Sequence, residues 1–448
     1  MRHERTPLTH RAVLSIAVPV MLSNVSTPLI GVVDTAVVGH YPTPAYIGAV
    51  AVGSLIFTFV FWGFGFLRMG TTGLTAQALG ARDHPELAAG LVRALLIAGA
   101  AGAGLILLQW PIREVAFAWI GASPQVEGLA RGYFDVRIWS APAALANYAL
   151  LGWFIGLGRT DIGLVLQLVL NLTNMALDVL FVIGLGWDVR GVALGTLLAE
   201  YAAACVGVVI ALRHLGHLGV GWQLQRVLAR DRVRRAFTVN GDIMIRSLAL
   251  SAVFFWFMAR GARQGDVTLA ANSILIQFIG VAAYFLDGLA FAAEALVGRA
   301  VGAGERAALT EAVRLTTVWA AAIALVLSAI FALAGPTLID LLSVDASARG
   351  AARAFLPWAA VAPLLGVWAF QLDGIFIGAT RTRDMRNAML LSLGIFLGAW
   401  WLLEPLGNHG LWAAFYVHYG ARIATLAYYY PGLLRSVPAP LGMGGHHG

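Results

Sequence analysis

Lysine is absent: all thirty basic residues of the chain are arginines. A GxxxxGK[ST] phosphate-binding loop therefore cannot be written, and nucleotide hydrolysis is excluded as a source of energy. Cysteine occurs once, as Cys205 inside an apolar run, which excludes an intrachain disulfide framework and a thiolate metal cluster. No HExxH pair and no zinc-spaced Cys/His set is present, so an intramembrane protease has no constellation to work with. Neither a cofactor nor an enzymatic activity is expected. Charge is scarce as well: only 12% of the 448 residues are charged and 59% are hydrophobic, with a mean hydropathy of +0.78. A soluble protein of this length needs far less apolar material to fill its core, so the chain reads as a membrane protein.

What is present is a series of long apolar runs. About twenty such residues span a bilayer as helix, because in hydrocarbon every backbone N–H and C=O must be bonded within its own segment. Twelve segments qualify, approximately 12–38, 47–78, 87–110, 131–158, 161–187, 190–213, 236–259, 268–300, 309–334, 350–379, 384–403 and 408–434. Continuous runs of this kind contradict a membrane β-barrel, whose strands alternate. The first lacks a short apolar region followed by a small-residue cleavage site and reads as a retained helix. With the N-terminus in the cytoplasm, 19 arginines fall on the cytoplasmic side and 7 on the opposite side, which satisfies the positive-inside rule with both termini inside. The densest run, RVLARDRVRR at 226–235, is then a cytoplasmic linker suited to anionic lipid headgroups, and nucleic acid is not expected as a partner.

The chain is written twice. LLGWFIGLGRT (150–160) and LDGIFIGATRT (372–382) agree at seven of eleven positions, at an offset of 222 residues that also aligns Arg131 with Arg353 and Ala78, Gly80 and Ala81 with Ala300, Gly302 and Ala303. Each half carries six spans, so both enter the membrane from the same side, related by a pseudo-two-fold along the membrane normal. The expected architecture is an all-α polytopic membrane protein of twelve transmembrane helices in two pseudo-symmetric six-helix bundles: an N-terminal lobe 1–213, a basic linker 214–235 and a C-terminal lobe 236–448. Two such bundles facing a cleft suit alternating access, and the 51 glycines suit helices that approach closely and slide.

A carboxylate at mid-membrane costs about 2.5–3.5 kcal/mol on insertion scales, so each one retained is a functional candidate. Asp34 is the only ionisable side chain between Ala12 and Val38. Asp178 is the second, with Asn174 four residues before it on the same helical face and Asn171 one turn further back. The bland alternative is a set of hydrogen-bonding groups that fasten helices together. The functional alternative is a protonatable pair, since two neighbouring carboxyls out of water cannot both ionise cheaply. The repeat favours function: the offset carries Asp34 to Trp256 and Asp178 to Trp400, so these acids belong to the first half alone. Pro19 and Pro28 permit a kink before Asp34. Asp242 and Arg246, spaced i, i+4, are expected to pair within their own helix. Asp287 and Asp373 are candidates for lining the cavity in the second half. Arg68 is expected to find a carboxylate or snorkel, and His40 and His418 to sit at the membrane interface.

The stretches VDTAVVGH, FLRMGTTGLTAQALGARD, WSAPAALANYALLGW, LDGIFIGATRTRDMRNAM and NHGLW, in that order across nearly the whole chain, closely resemble the DinF branch of the MATE (multidrug and toxic compound extrusion) transporters. The resemblance implies a twelve-helix, two-lobe exporter of the inner membrane that exchanges organic, often cationic, compounds for H⁺ or Na⁺. It further implies a coupling aspartate and a bending proline on helix one, an Asn and Asp on helix five and a Thr on helix six, which fall on Asp34, Pro19, Asn174, Asp178 and Thr196. Other branches of the family use acids of the second lobe. The expected function is thus a secondary antiporter, acting as a monomer with membrane lipid around it and a small organic molecule, cationic or amphipathic, as substrate. The ion is H⁺, or Na⁺ held by Asp34, Asn174, Asp178 and Thr196. A flippase for lipid-linked precursors, of related two-bundle architecture, is the alternative and would want a basic cavity for its pyrophosphate.

Overall fold

A computed structural model describes residues 8–41, 43–219 and 223–438. Every regular element among them is helical: α1 (His10–Val38), α2 (Ala45–Trp62), α3 (Phe66–Gly80), α4 (His84–Leu107), α5 (Gln109–Ile120), α6 (Pro124–Arg137), α7 (Ala141–Gly156), α8 (Thr160–Asp178), α9 (Val189–His217), α10 (Leu224–Val227), α11 (Arg230–Ala262), α12 (Asp266–Ala303), α13 (Arg306–Leu342), α14 (Ala346–Gly378), α15 (Thr382–Leu403) and α16 (Gly407–Ser436). Eleven helical runs among the described residues are long and apolar enough to cross a membrane. The last, Thr382–Ser436, is 55 residues long, whereas roughly 20 suffice to span hydrocarbon. A 3₁₀ turn at Glu404–Leu406 divides it into α15 and α16, which pack on each other, so the eleven runs carry twelve crossings.

The helix ends follow from local chemistry. Asp83, Ser123, Asp188 and Asp345 each accept a backbone N–H at the start of α4, α6, α9 and α14, and Pro follows the cap at Pro124. The last turn of α8 passes into a π-helical segment, Val179–Gly184, so Asp178 sits where the helical register changes, as residues at functional sites often do.

The chain divides into two compact units. The N-unit is Leu22–Ala78 with Asp83–Phe237; the C-unit is Met1–Met21, Leu79–Arg82 and Thr238–Gly448, of which residues 8–21, 79–82 and 238–438 are described. The division cuts α1 at Met21–Leu22, two residues beyond Pro19. The core of the N-unit is built around Phe57 and Phe134, with ring centroids 5.1 Å apart, and that of the C-unit around Phe257 and Trp412, 5.0 Å apart.

The internal repeat reappears in the packing. In the N-unit, Gly152 and Gly156 on α7 lie so close to α3 that an added Cβ would stand 2.3 Å from Arg68 O and 2.7 Å from Thr72 O. In the C-unit, Gly374 and Gly378 on α14 lie 2.4 Å, measured in the same way, from Ala290 O and Glu294 O of α12. Each of these four positions is offset from its counterpart by 222 residues, as are the carbonyls they meet. The left-handed residues match as well, Arg82 with Gly304 and Gly158 with Thr380. So do the hydrogen bonds that close these turns: Asp83 N to Ala78 O with Glu305 N to Ala300 O, and Arg159 N to Phe154 O with Arg381 N to Phe376 O. Small residues at matched places let two pairs of helices pack backbone to backbone.

Part of the basic run at 226–235 is held by side chains of the N-unit. Arg226 O and Val227 O accept from Arg93 Nη2 and Nε at 2.9 and 3.1 Å, Arg226 Nη1 donates to Asp83 Oδ1 at 2.7 Å, and residues 230–235 form the first turns of α11. Arg93, buried on α4, thus clamps the linker to the N-unit.

Candidate ion-coupling site

Asp34, Asn174 and Asp178 are all buried, with exposures of 6%, 0% and 0%, so neither carboxyl is turned out into lipid. Asn171, Asn174 and Asp178 share one face of α8. Asn171 Nδ2 donates to Ser26 O and Oγ on α1 at 3.2 and 3.1 Å and is itself oriented by Gln167, which donates to its Oδ1 at 2.7 Å. This residue is a fastener between α8 and α1. It holds the two helices together two turns below Asp34, and the Asp34 and Asp178 carboxyls consequently lie beside each other. Asn174 Nδ2 donates to Thr196 Oγ1 at 3.1 Å, and the Thr196 hydroxyl in turn donates to Val192 O at 2.9 Å, bringing α9 into the cluster. Gly195 supplies the room: a Cβ there would stand 2.3 Å from Asp178 Oδ1.

A charged pair borders these groups. Arg137 on α6 donates from Nη2 to Glu200 Oε1 on α9 at 2.6 Å, and from Nη1 to Ser140 Oγ. Its guanidinium is close enough to act electrostatically on both aspartates. Asn147 on α7 fixes the neighbouring backbone by donating to Glu200 O at 3.0 Å. Arg137 and Glu200 both lie inside apolar spans, where burial makes a lone charge costly, but they stand 63 residues apart and only the fold brings them together.

Six buried oxygens of this region lack a hydrogen-bond partner: Asp34 Oδ1, Asn174 Oδ1, both Asp178 oxygens, Glu200 Oε2 and Asn147 Oδ1. Buried acceptors are normally satisfied, and an unsatisfied one costs about 1–3 kcal/mol. A proton on a carboxyl turns an acceptor into a donor, and a small cation coordinates several oxygens at once; either satisfies the group. No cluster of three or more His, Cys, Asp or Glu occurs among the described residues, so a cation here would be held by a mixed acid, amide and hydroxyl set.

The C-unit has a different arrangement. The expected Asp242–Arg246 pair within one helix does not form. Asp242 instead accepts from Arg386 Nη1 at 2.7 Å and Thr382 Oγ1 at 3.1 Å, and Arg246 joins Arg422 in binding Asp373. An i, i+4 pair is worth only about 0.2–0.5 kcal/mol, far less than neutralising a buried carboxylate on a facing helix. Asp373 is therefore already matched by two guanidinium groups, and the half-buried Asp287 lies near Arg422. His418 is not interfacial: it is 1% exposed in the middle of α16, one turn from Arg422. His40 is exposed, and Arg68 is buried on α3. At the places equivalent to the N-unit acids, the Arg260 guanidinium stands 4.3 Å from the ring centroid of Trp256 and 6.0 Å from that of Trp400.

Comparison with known proteins agrees with this architecture. The MatE family profile matches residues 19–180 and 243–400, in step with the repeat. DNA damage-inducible protein F of Escherichia coli (strain K12) is 40% identical over 93% of this chain and 91% of its own length. A multidrug resistance MATE family transporter of the MOP superfamily, solved in an outward-facing conformation, superposes with a TM-score of 0.85 at 19% identity, covering 95% of this chain and 96% of that one. A MATE crystal structure described as the bent conformation gives 0.86 at 20% identity over 95% and 96%. The chain belongs to the MatE family, on the branch of DNA damage-inducible protein F, and is a multi-pass membrane transporter and not an enzyme.

Proposed function

We propose that this chain is a secondary antiporter that exports an organic cation, or a cationic amphipath, in exchange for H⁺ or Na⁺ by alternating access, with both termini in the cytoplasm. One observation carries the reading: two adjacent buried carboxyls, Asp34 and Asp178, lie among amide and hydroxyl oxygens and hold three of the buried acceptors that have no partner. Protonation of the pair, or a sodium ion shared by Asp34, Asn174, Asp178 and Thr196, satisfies those oxygens and removes net negative charge from the N-unit. Helix α1 carries Asp34 at one end and Pro19 toward the other, where the missing backbone N–H makes bending cheap. Satisfying Asp34 then favours one shape of α1 and leaving it ionised favours another. The related MATE structure described as bent supports such a device.

The organisation of a first lobe (1–213), a basic linker (214–235) and a second lobe (236–448) belongs to the same reading. Asp373, bound by two arginines, and Asp287, near one of them, then shape the second lobe's interior and carry no coupling ion. The acidic character of the N-unit cluster favours a cation over the pyrophosphate of a lipid-linked precursor. Reconstitution into proteoliposomes, with pH and sodium gradients imposed separately, tests the proposal: substrate efflux must follow one of them. Efflux indifferent to both would refute it.

A further inference from the structure

The arginines around the linker are of two kinds. Some are held by the protein: Arg93 Nη1 and Arg232 Nη1 stand 3.1 and 3.9 Å from Glu86 Oε1, Arg226 binds Asp83, and Arg235 donates from Nη2 to Gln77 Oε1 at 2.6 Å. Arg230 and Arg234 are not. Both are exposed, and neither guanidinium has a hydrogen-bond or ion-pair partner among the described residues. Four residues apart in the first turns of α11, they are neighbours on one helical face, and Arg230 opens the helix, where the dipole adds positive potential. The nearest exposed acid, Asp231, stands about 100° round the helix from Arg230. Its carboxylate lies 3.6 Å from Arg232 Nε.

The face that carries these two arginines continues along α11 as an apolar stripe. At 100° per residue, Arg230, Arg234, Phe237, Met244, Leu248 and Phe255 fall within about 80° of arc, and all six are exposed. Phe237, Leu248 and Phe255 are 60%, 56% and 66% exposed, while the polar Asn240, Asp242 and Arg246 of the same stretch are buried off this face. On a membrane-spanning helix, an exposed stripe without charge is the surface that meets acyl chains. At about 1.5 Å per residue, Arg234 lies about 4.5 Å and Arg230 about 10 Å beyond Phe237 along the axis. The headgroup layer is roughly 5–8 Å thick on each side of the hydrocarbon, so the two guanidiniums bracket the level of the phosphates. Arginine's planar fork matches a phosphate bidentately. We propose that Arg230, Arg234 and Phe237 form a binding site for an anionic phospholipid, with the phosphodiester held between the two guanidiniums and an acyl chain laid against Phe237. The site stands apart from the coupling cluster and does not depend on the antiport reading; the orientation proposed above decides only that the cytoplasmic leaflet supplies the lipid.

The test is a lipid titration of the delipidated full-length protein read by native mass spectrometry, which gives the affinity of the first bound lipid. Dioleoylphosphatidylglycerol should bind at least about tenfold more tightly than dioleoylphosphatidylcholine, whose choline offsets the phosphate charge. Arg230→Gln with Arg234→Gln should weaken phosphatidylglycerol binding by about tenfold or more and leave phosphatidylcholine within about twofold of wild type. The melting temperature of the lipid-free protein should not change, since neither guanidinium holds the fold. Arg263→Gln with Arg383→Gln removes the same charge from two exposed arginines elsewhere in the chain and should leave phosphatidylglycerol affinity within about twofold of wild type. Equal wild-type affinity for the two lipids would overturn the proposal, as would phosphatidylglycerol affinity within about twofold of wild type in the first double variant. Equal losses in the two double variants would also overturn it, leaving a diffuse effect of net charge. Glycerol 3-phosphate that displaces the lipid at equal concentration would reduce the site to one for free phosphate and refute the role of Phe237.

Discussion

Replacing Asp34 by asparagine removes the titratable group at nearly constant volume. The amide can offer a donor to the Asp178 carboxyl beside it, so the fold should survive, with a melting temperature close to wild type. What it cannot do is gain and lose a proton or contribute a full charge to a sodium site. The driving force at stake can be estimated. One charge crossing roughly 100 mV gains about 2.3 kcal/mol, and a half-unit pH gradient adds about 0.7 kcal/mol. The sum of about 3 kcal/mol sustains roughly a hundredfold substrate gradient per ion. In proteoliposomes with an imposed pH or sodium gradient, Asp34→Asn should bring accumulation from about that level to near unity. Equilibrium substrate binding, measured on the same purified variant, should be retained. Accumulation in Asp34→Asn equal to wild type would show that the coupling ion does not act through this carboxyl, and the mechanism proposed for α1 would fall with it.

Further expectations follow from the same geometry. Arg137→Met leaves Glu200 buried and unpaired, a loss of about 3–5 kcal/mol that a thermal melt in detergent would detect; a melt unchanged from wild type would show that Glu200 is relieved some other way. Gly152→Ala and Gly374→Ala place a methyl 2.3 and 2.4 Å from a facing carbonyl, and each should destabilise by about 1–3 kcal/mol, whereas Gly99→Ala, with nothing within 4 Å, should be neutral. Gly195→Ala drives a methyl into Asp178 Oδ1 and should lower coupled transport more than it lowers the melting temperature; the opposite order would argue against a functional role for Asp178. Outside the spans, Arg131 holds the Glu114 carboxyl down to about 2, helped by Arg113 and opposed by partial burial, from an ordinary 4.5. A depressed carboxyl contributes stability that is present above the ordinary value and lost as pH falls toward the folded one. Hydrogen exchange in α5 should therefore be flat from pH 8 to about 5, after correction for its intrinsic rate, and rise in protected-amide opening below that.

How much of this was legible depended on whether a residue's neighbours lay near it in the chain. Asp34 and Asp178 stood out because a carboxylate in an apolar run is costly, and Asn174 because four residues along a helix is one turn. Thr196 gave no such signal: a threonine in an apolar helix can satisfy its own hydroxyl on the carbonyl four residues back, as Thr72 and Thr316 also do. It was found only through family resemblance. Asp242 and Arg246 show the limit of local rules, since their spacing pointed to one partner and facing helices supplied better ones.

The sequence alone determined that the chain lives in a bilayer, crosses it twelve times, repeats after 222 residues and carries Asp34 and Asp178 without acidic counterparts in the second half. Each of these is a property of composition or spacing along one dimension, where the cost of burying a backbone amide or a charge is set before any neighbour is chosen. The tertiary structure decided which charges meet: Arg137 with Glu200 beside the two aspartates, and Asp373 with two arginines. In hydrocarbon every polar group seeks the nearest complement in space, and nearness in space is a property of packed helices that no single helix carries.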